Sequence, residues 1–151
     1  MKQNNIEPKI IFDIGSGIGY FTNLYTILKP EVYIHAIDKN RKMKTNHFGY
    51  IPNAEFHLES VYNTSFLELI EEKQPDTIVG IHLCRSLAPE FINIFIRSES
   101  IKTMVLSPCC TRMDYEVWTE YLYDLIQVPN KQMMKDKHIL SIRNNLIMAV
   151  K

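Results

Sequence analysis

Apolar residues along this chain fall into two patterns that take turns. Short unbroken runs rich in isoleucine, valine and phenylalanine occupy 9–14, 31–38, 54–58, 77–81 and 101–106. Between them lie longer stretches with apolar positions three and four apart: 20–28, 65–73 (Phe66, Leu67, Leu69, Ile70) and 89–97 (Phe91, Ile92, Ile94, Phe95). The first pattern belongs to strands buried on both faces and the second to one-sided helices. Their alternation predicts an α/β domain built on a parallel sheet. The stretch 39–48 reads as a basic, mostly polar helix, and Asp114 predicts the cap of a further helix reaching Gln127, with Trp118, Leu122 and Leu125 on its buried stripe. Pro30, Pro52 and Pro75 punctuate the joints. Toward the end, 128–137 reads as a lysine-bearing loop, followed by two strands at 138–142 and 146–150 joined through Arg143, Asn144 and Asn145.

Bulk properties narrow the picture without deciding it. A chain of 151 residues, 46% hydrophobic and 23% charged, fits one globular domain covering 1–151. The formal net charge is zero, so overall charge gives no argument for a nucleic-acid partner. No apolar run is long enough to span a bilayer, and the polar start carries no secretory pattern, so no membrane partner is expected. Cys84, Cys109 and Cys110 make an odd count without a Cys-x-x-Cys pair. That argues against a disulfide scaffold and a zinc ribbon, and for a reducing, cytoplasmic setting with no metal.

Candidate chemistry concentrates where the first run breaks. Ile10 to Ile14 lead into Gly15-Ser16-Gly17-Ile18-Gly19, and a helical pattern starts at Tyr20. Strand, glycine turn and helix form the first unit of a doubly wound sheet, and missing Cβ atoms let the turn approach a ligand. A dinucleotide fingerprint wants its third small residue where Tyr20 stands, so the spacing does not fit one. Asp13-x-Gly15-x-Gly17-x-Gly19 instead resembles motif I of the class I S-adenosylmethionine-dependent methyltransferases. The resemblance implies a Rossmann-like, seven-stranded sheet, parallel except for its last strand, with helices on both faces. It also implies S-adenosylmethionine as cofactor and Asp13, Gly15, Gly17 and Gly19 as cofactor-binding residues. The ammonium and sulfonium of that cofactor suit a carboxylate near the turn; the bland alternative is that Asp13 only caps it. Asp38 ends the second strand where an open α/β sheet places the acid for a ribose hydroxyl pair, with Lys39 beside it; its alternative role is the cap of the next helix. Glu59 or Ser60, just past the third strand, is the implied adenine contact.

The fourth and fifth strands empty into His82-Leu83-Cys84-Arg85 and Pro108-Cys109-Cys110. These pairs resemble the His-Leu-Cys and Cys-Cys motifs of the Trm13-type tRNA methyltransferases, which methylate a ribose hydroxyl. The chain departs from that pattern at Arg85, where the family has glycine, at Pro89, near which it has aspartate, and at Thr111 and Arg112, where it has histidines. The family's zinc-binding modules are absent from this sequence. His82, Cys109 and Cys110 are the candidate catalytic residues, with His82 also beside the cofactor. An imidazole there suits a general base. The cysteines have four readings: the wall of an acceptor pocket, a nucleophile toward a pyrimidine, metal ligands together with His82, or small buried hydrophobes. His35, His47, His57 and His138 are given no role. The expectation is a methyltransferase acting on RNA, tRNA or rRNA. Lys39, Arg41, Lys42, Lys44, Arg85 and Arg112 are placed to meet phosphates, and a partner subunit could supply target recognition. The alternatives are a cofactor-binding subunit or assembly factor without turnover, or a methyltransferase acting on a small molecule or protein.

Overall fold

A computed structural model describes residues 7–138 and 143–151. Seven strands form one sheet: β1 (Ile10–Ile14), β2 (Tyr33–Asp38), β3 (Ala54–Leu58), β4 (Thr77–Leu83), β5 (Thr103–Pro108), β6 (Asn130–Lys135) and β7 (Asn145–Val150). Their spatial order is β3-β2-β1-β4-β5-β7-β6. The first five pair in parallel, while β7 runs antiparallel to both β5 and β6. Four helices, α1 (Tyr20–Leu28), α2 (Thr64–Lys73), α3 (Leu87–Arg97) and α4 (Tyr115–Leu125), complete the Rossmann-like arrangement.

Two packed layers explain the apolar runs. Phe12, Ile14, Ile78, Met104, Leu106 and Ile147 of the sheet pack with Phe66 of α2, Phe91 and Phe95 of α3, and Trp118 and Leu122 of α4. The alternate positions, Ile11, Ile34, Ala36 and Val79, face the other way and meet Phe21 and Tyr25 of α1. Successive side chains point to opposite faces, so a strand covered on both sides must be apolar throughout. Among the described residues no helix is long and apolar enough to cross a membrane.

Four expectations need correction or fall partly outside the described residues. The stretch 39–48 forms no α-helix; it turns, and only Asn46–Tyr50 winds into a short 3-10 helix. Phe48 is its single buried residue, too little apolar surface to hold a helix by packing. The expected loop 128–137 contains β6. That strand is an edge strand of mostly polar and mostly exposed residues, so it shows none of the alternation that marks a half-buried strand. Of the expected strand 138–142, His138 lies in a turn and 139–142 lie outside the described residues. Leu67, expected on the buried side of α2, is exposed.

Candidate active site

The glycine turn after β1 is held by its neighbours. The backbone N–H groups of Gly15 and Ser16 donate to the Ile37 carbonyl, and the N–H of Gly17 donates to Asp38 Oδ2 at 2.9 Å. Gly15, Gly17 and Gly19 have φ of 68, 59 and 80°, in the left-handed region that other residues avoid. A Cβ on Gly19 would lie 2.4 Å from Phe48 Cζ, and one on Gly15 would meet Leu83 at 2.8 Å. Asp38 Oδ1 also accepts from the N–H of Asn40 at 2.8 Å. The acid that ends β2 thus fixes both its own turn and the glycine turn.

Asp13 points away from solvent. Its carboxylate accepts from Thr22 Oγ1 at 2.7 Å, in the first turn of α1, whose N-cap Gly19 has no side chain to cap the helix. Burial pushes this carboxyl up to about 6, against the pull of the Thr22 hydrogen bonds.

A cavity of about 370 Å³ opens at the carboxyl ends of β1, β2 and β4. Its wall includes Gly15, Asp38, Lys39, Glu59, Ser60 and His82, together with Ile37, Val61, Tyr62, Cys84 and Leu87. Asp13, Gly17, Gly19, Cys109 and Cys110 are not in that wall. Its size falls within the range of small-molecule sites, about 300–1,000 Å³. A larger hollow of about 670 Å³ lies between α2 and α3, but it meets none of the glycine turn, Asp38 or His82. Sequence reasoning missed Tyr62, whose hydroxyl donates at 3.3 Å to Oγ of Ser86, another residue of the cavity wall. Only its position two residues past Ser60 could have suggested it.

Glu59 is heavily committed. Oε1 accepts from the Ser60 N–H at 2.8 Å and from Asn63 Nδ2 at 2.7 Å, and Oε2 accepts from Ser65 Oγ at 2.7 Å. Hydrogen bonds from Ser65, Ser60 and Asn63 hold its carboxyl below the usual range.

The ends of β4 and β5 come together as neighbours. A bulge falls between Ile81 and Leu83, and His82 within it has φ 59°, with Arg85 at 50°. Such conformations in residues other than glycine are uncommon and cluster at functional sites. The sulfurs of Cys84, Cys109 and Cys110 lie within 4.8 Å of one another, Cys84 and Cys109 at 2.7 Å. Cys84 and Cys109 both donate to the His82 carbonyl. Burial, then hydrogen bonding to Cys84 and Cys110, pushes the Cys109 thiol up to about 12. Cys110 is exposed and shifts the other way, lowered by hydrogen bonds with Cys84 and Cys109 and by the Arg143 guanidinium, 3.7 Å away.

The chain matches the model of a family described as a methyltransferase domain over residues 1–114, from before β1 to the residue that caps α4. Solved structures with a similar fold include the fibrillarin/Nop5p complex, at 13% identity, 95% of this chain, 72% of that chain and TM-score 0.70. The methyltransferase domain of bacterial CtHen1 gives 13% identity, 95% and 91% coverage, and TM-score 0.65. Precorrin-6y C5,15-methyltransferase from Geobacter metallireducens gives 16% identity, 96% and 82% coverage, and TM-score 0.64. No protein of curated function matches the chain.

Proposed function

The chain belongs to the methyltransferase-domain family, and from that premise we propose that it transfers the methyl group of S-adenosylmethionine to RNA. The observation that carries this reading is Asp38. Its carboxylate stands in the cavity wall facing Gly15, and each oxygen has accepted only one backbone hydrogen bond. A carboxylate offers about four lone-pair sites, so each oxygen keeps one for a ribose hydroxyl. Gly15 lines the cavity, and its missing Cβ lets Leu83 pack against the turn, 2.8 Å from where a Cβ would stand.

Bound there, the cofactor supplies an activated methyl group on a sulfonium. Asp38 orients the ribose, with Lys39 beside it. Glu59 has three of its roughly four acceptor sites filled by Ser60, Asn63 and Ser65, which favours Ser60 as the group that meets the adenine edge. Asp13 shapes the turn from beneath, together with Gly17 and Gly19. His82, exposed at the cavity rim, is placed to take a proton from an incoming hydroxyl. The raised Cys109 thiol disfavours a thiolate there, so Cys109 supports the floor behind His82 and Cys84. Exposed Cys110, whose thiol is lowered, is the cysteine for which the serine variants test a nucleophilic role. RNA as acceptor rests on the His-Leu-Cys and Cys-Cys pairs and on exposed Lys39, Arg41, Lys42, Lys44, Arg85 and Arg112, which all follow carboxyl ends of strands.

The test is labelled-methyl transfer to total RNA. Cys109→Ser and Cys110→Ser should retain activity, and His82→Ala should lose about 10²-fold or more, the usual contribution of a general base. A covalent adduct with fluorinated-pyrimidine RNA that vanishes in one serine variant would replace the pocket-wall reading with a nucleophile. Cofactor binding without transfer to any RNA would make the chain a binding subunit.

A further inference from the structure

His35 of β2 and Glu55 and His57 of β3 converge on the face of the sheet that α2 covers. Register sets His35 opposite Glu55, and His57 follows two residues later, so pleating sends all three side chains the same way. His35 Nδ1 lies 2.8 Å from His57 Nε2, and Glu55 Oε2 lies 3.6 Å from each. A point about 2.0 Å from all three atoms exists inside that triangle, and zinc bonds to imidazole nitrogen and carboxylate oxygen are about 2.0–2.2 Å long.

We propose that His35, Glu55 and His57 form a binding site for a first-row divalent cation, zinc being the member that fits best. Two imidazoles with one carboxylate suit zinc, cobalt or nickel, whereas magnesium and calcium want oxygen ligands. The rings are already positioned. His35 is buried and makes an edge-on contact with Phe12 at 5.3 Å, and Tyr33 lies 5.0 Å from it on the other side. Glu72 and Lys73, at the end of α2, are the nearest other charges, and they pair with each other at 2.8 Å. A hydrogen bond between two neutral imidazoles would satisfy the rings alone, but it gives no part to the carboxylate equidistant from both. Half-exposed Glu55 leaves a further coordination position open to water.

The site is separate from the cavity, whose wall contains none of the three residues. A bound ion would staple edge strand β3 to β2, and β3 leads directly into Glu59 and Ser60. The inference does not depend on the cofactor or its acceptor. It must be separated from the cysteine cluster, the other group of metal-ligating side chains among the described residues.

The experiment is titration of the chelator-stripped full chain with Co(II), followed by visible absorption. The expected result is saturable binding with ligand-field bands and no intense sulfur-to-cobalt charge transfer. Binding should persist when Cys84, Cys109 and Cys110 are all serine. Glu55→Gln, at an exposed edge position, and His57→Ala should weaken it by more than about 10-fold, the least that even outer-shell partners cost. Failure of the folded wild type to bind overturns the proposal. So does unchanged affinity in both Glu55→Gln and His57→Ala. A charge-transfer band for the sole bound ion assigns it to the cysteines instead; if the triple-serine variant does not fold, the wild-type spectrum alone decides this.

Discussion

Asp13 and Asp38 close two adjacent strands, yet their surroundings differ sharply. Asp38 is half-buried at the cavity and takes part in two backbone hydrogen bonds, so its removal touches the proposed ligand site and the turn together. Asp38→Ala should weaken S-adenosylmethionine by about 1.5–3 kcal/mol, the range for hydrogen bonds to a charged group, measured by calorimetry. If the variant unfolds while affinity survives in its folded fraction, Asp38 is a turn anchor only. Asp13 has a different signature, because burial raises its folded value from 3.8 to about 6. Between those values the folded chain holds a proton that the unfolded chain has released. Stability from this group is therefore fully present below 3.8 and is lost as pH rises through about 6, a loss on the order of 3 kcal/mol. Asp13→Asn keeps an acceptor for Thr22 and cannot ionise. The stability of this variant relative to wild type should grow between about pH 4 and about pH 6 and then level off, as read by urea unfolding. A difference independent of pH would mean that the carboxyl is not desolvated as its burial implies.

Elements with a strong apolar signal were legible in the sequence, and those shaped by edges or by absent packing were not. β1 to β5 and α1 to α3 lie where unbroken apolar runs and three-and-four spacing put them, because burial on both faces of the sheet writes itself into composition. β6 escaped notice because an edge strand needs backbone pairing more than apolar side chains. The cap of α4 was readable, since Asp114 accepts from the N–H groups of Glu116 and Val117. Asp114→Ala should therefore cost about 1 kcal/mol, seen as a lower urea midpoint with an unchanged slope. A stability change near zero would mean that Tyr115, Glu116 and Thr119, which bind Asn145 at the start of β7, hold the helix without its cap. The site was legible in part for the same reason. Gly15, Asp38 and His82 occupy strand ends that the run boundaries mark, whereas Tyr62 and the His35–Glu55–His57 convergence depend on loop paths and strand register, which composition does not carry.

At the scale of the whole molecule, the cavity wall is assembled from separate parts of the chain: the β1 turn, the ends of β2 and β4, and the loops after β3 and β4. None of these pieces forms a site alone, so a ligand that binds the assembled wall and not the unfolded chain must stabilise the fold as a unit. At a concentration a hundred times its dissociation constant such a ligand adds about 2.7 kcal/mol, which for a domain of this size raises Tm by roughly 5–10 °C. S-adenosylmethionine or its demethylated product should give that shift in wild type. Gly17→Val should abolish it for a reason specific to the backbone. The space beside Gly17 is open, with only Met43 Cε at 3.9 Å, but its φ of 59° is one that a β-branched residue resists. Relaxing that strain moves the N–H whose hydrogen bond Asp38 now accepts, and Asp38, the proposed ribose anchor, moves with it. The variant should fold with a modestly lower Tm and show no further rise with cofactor. A wild type that melts at the same temperature with and without saturating cofactor would remove the basis for the proposed activity.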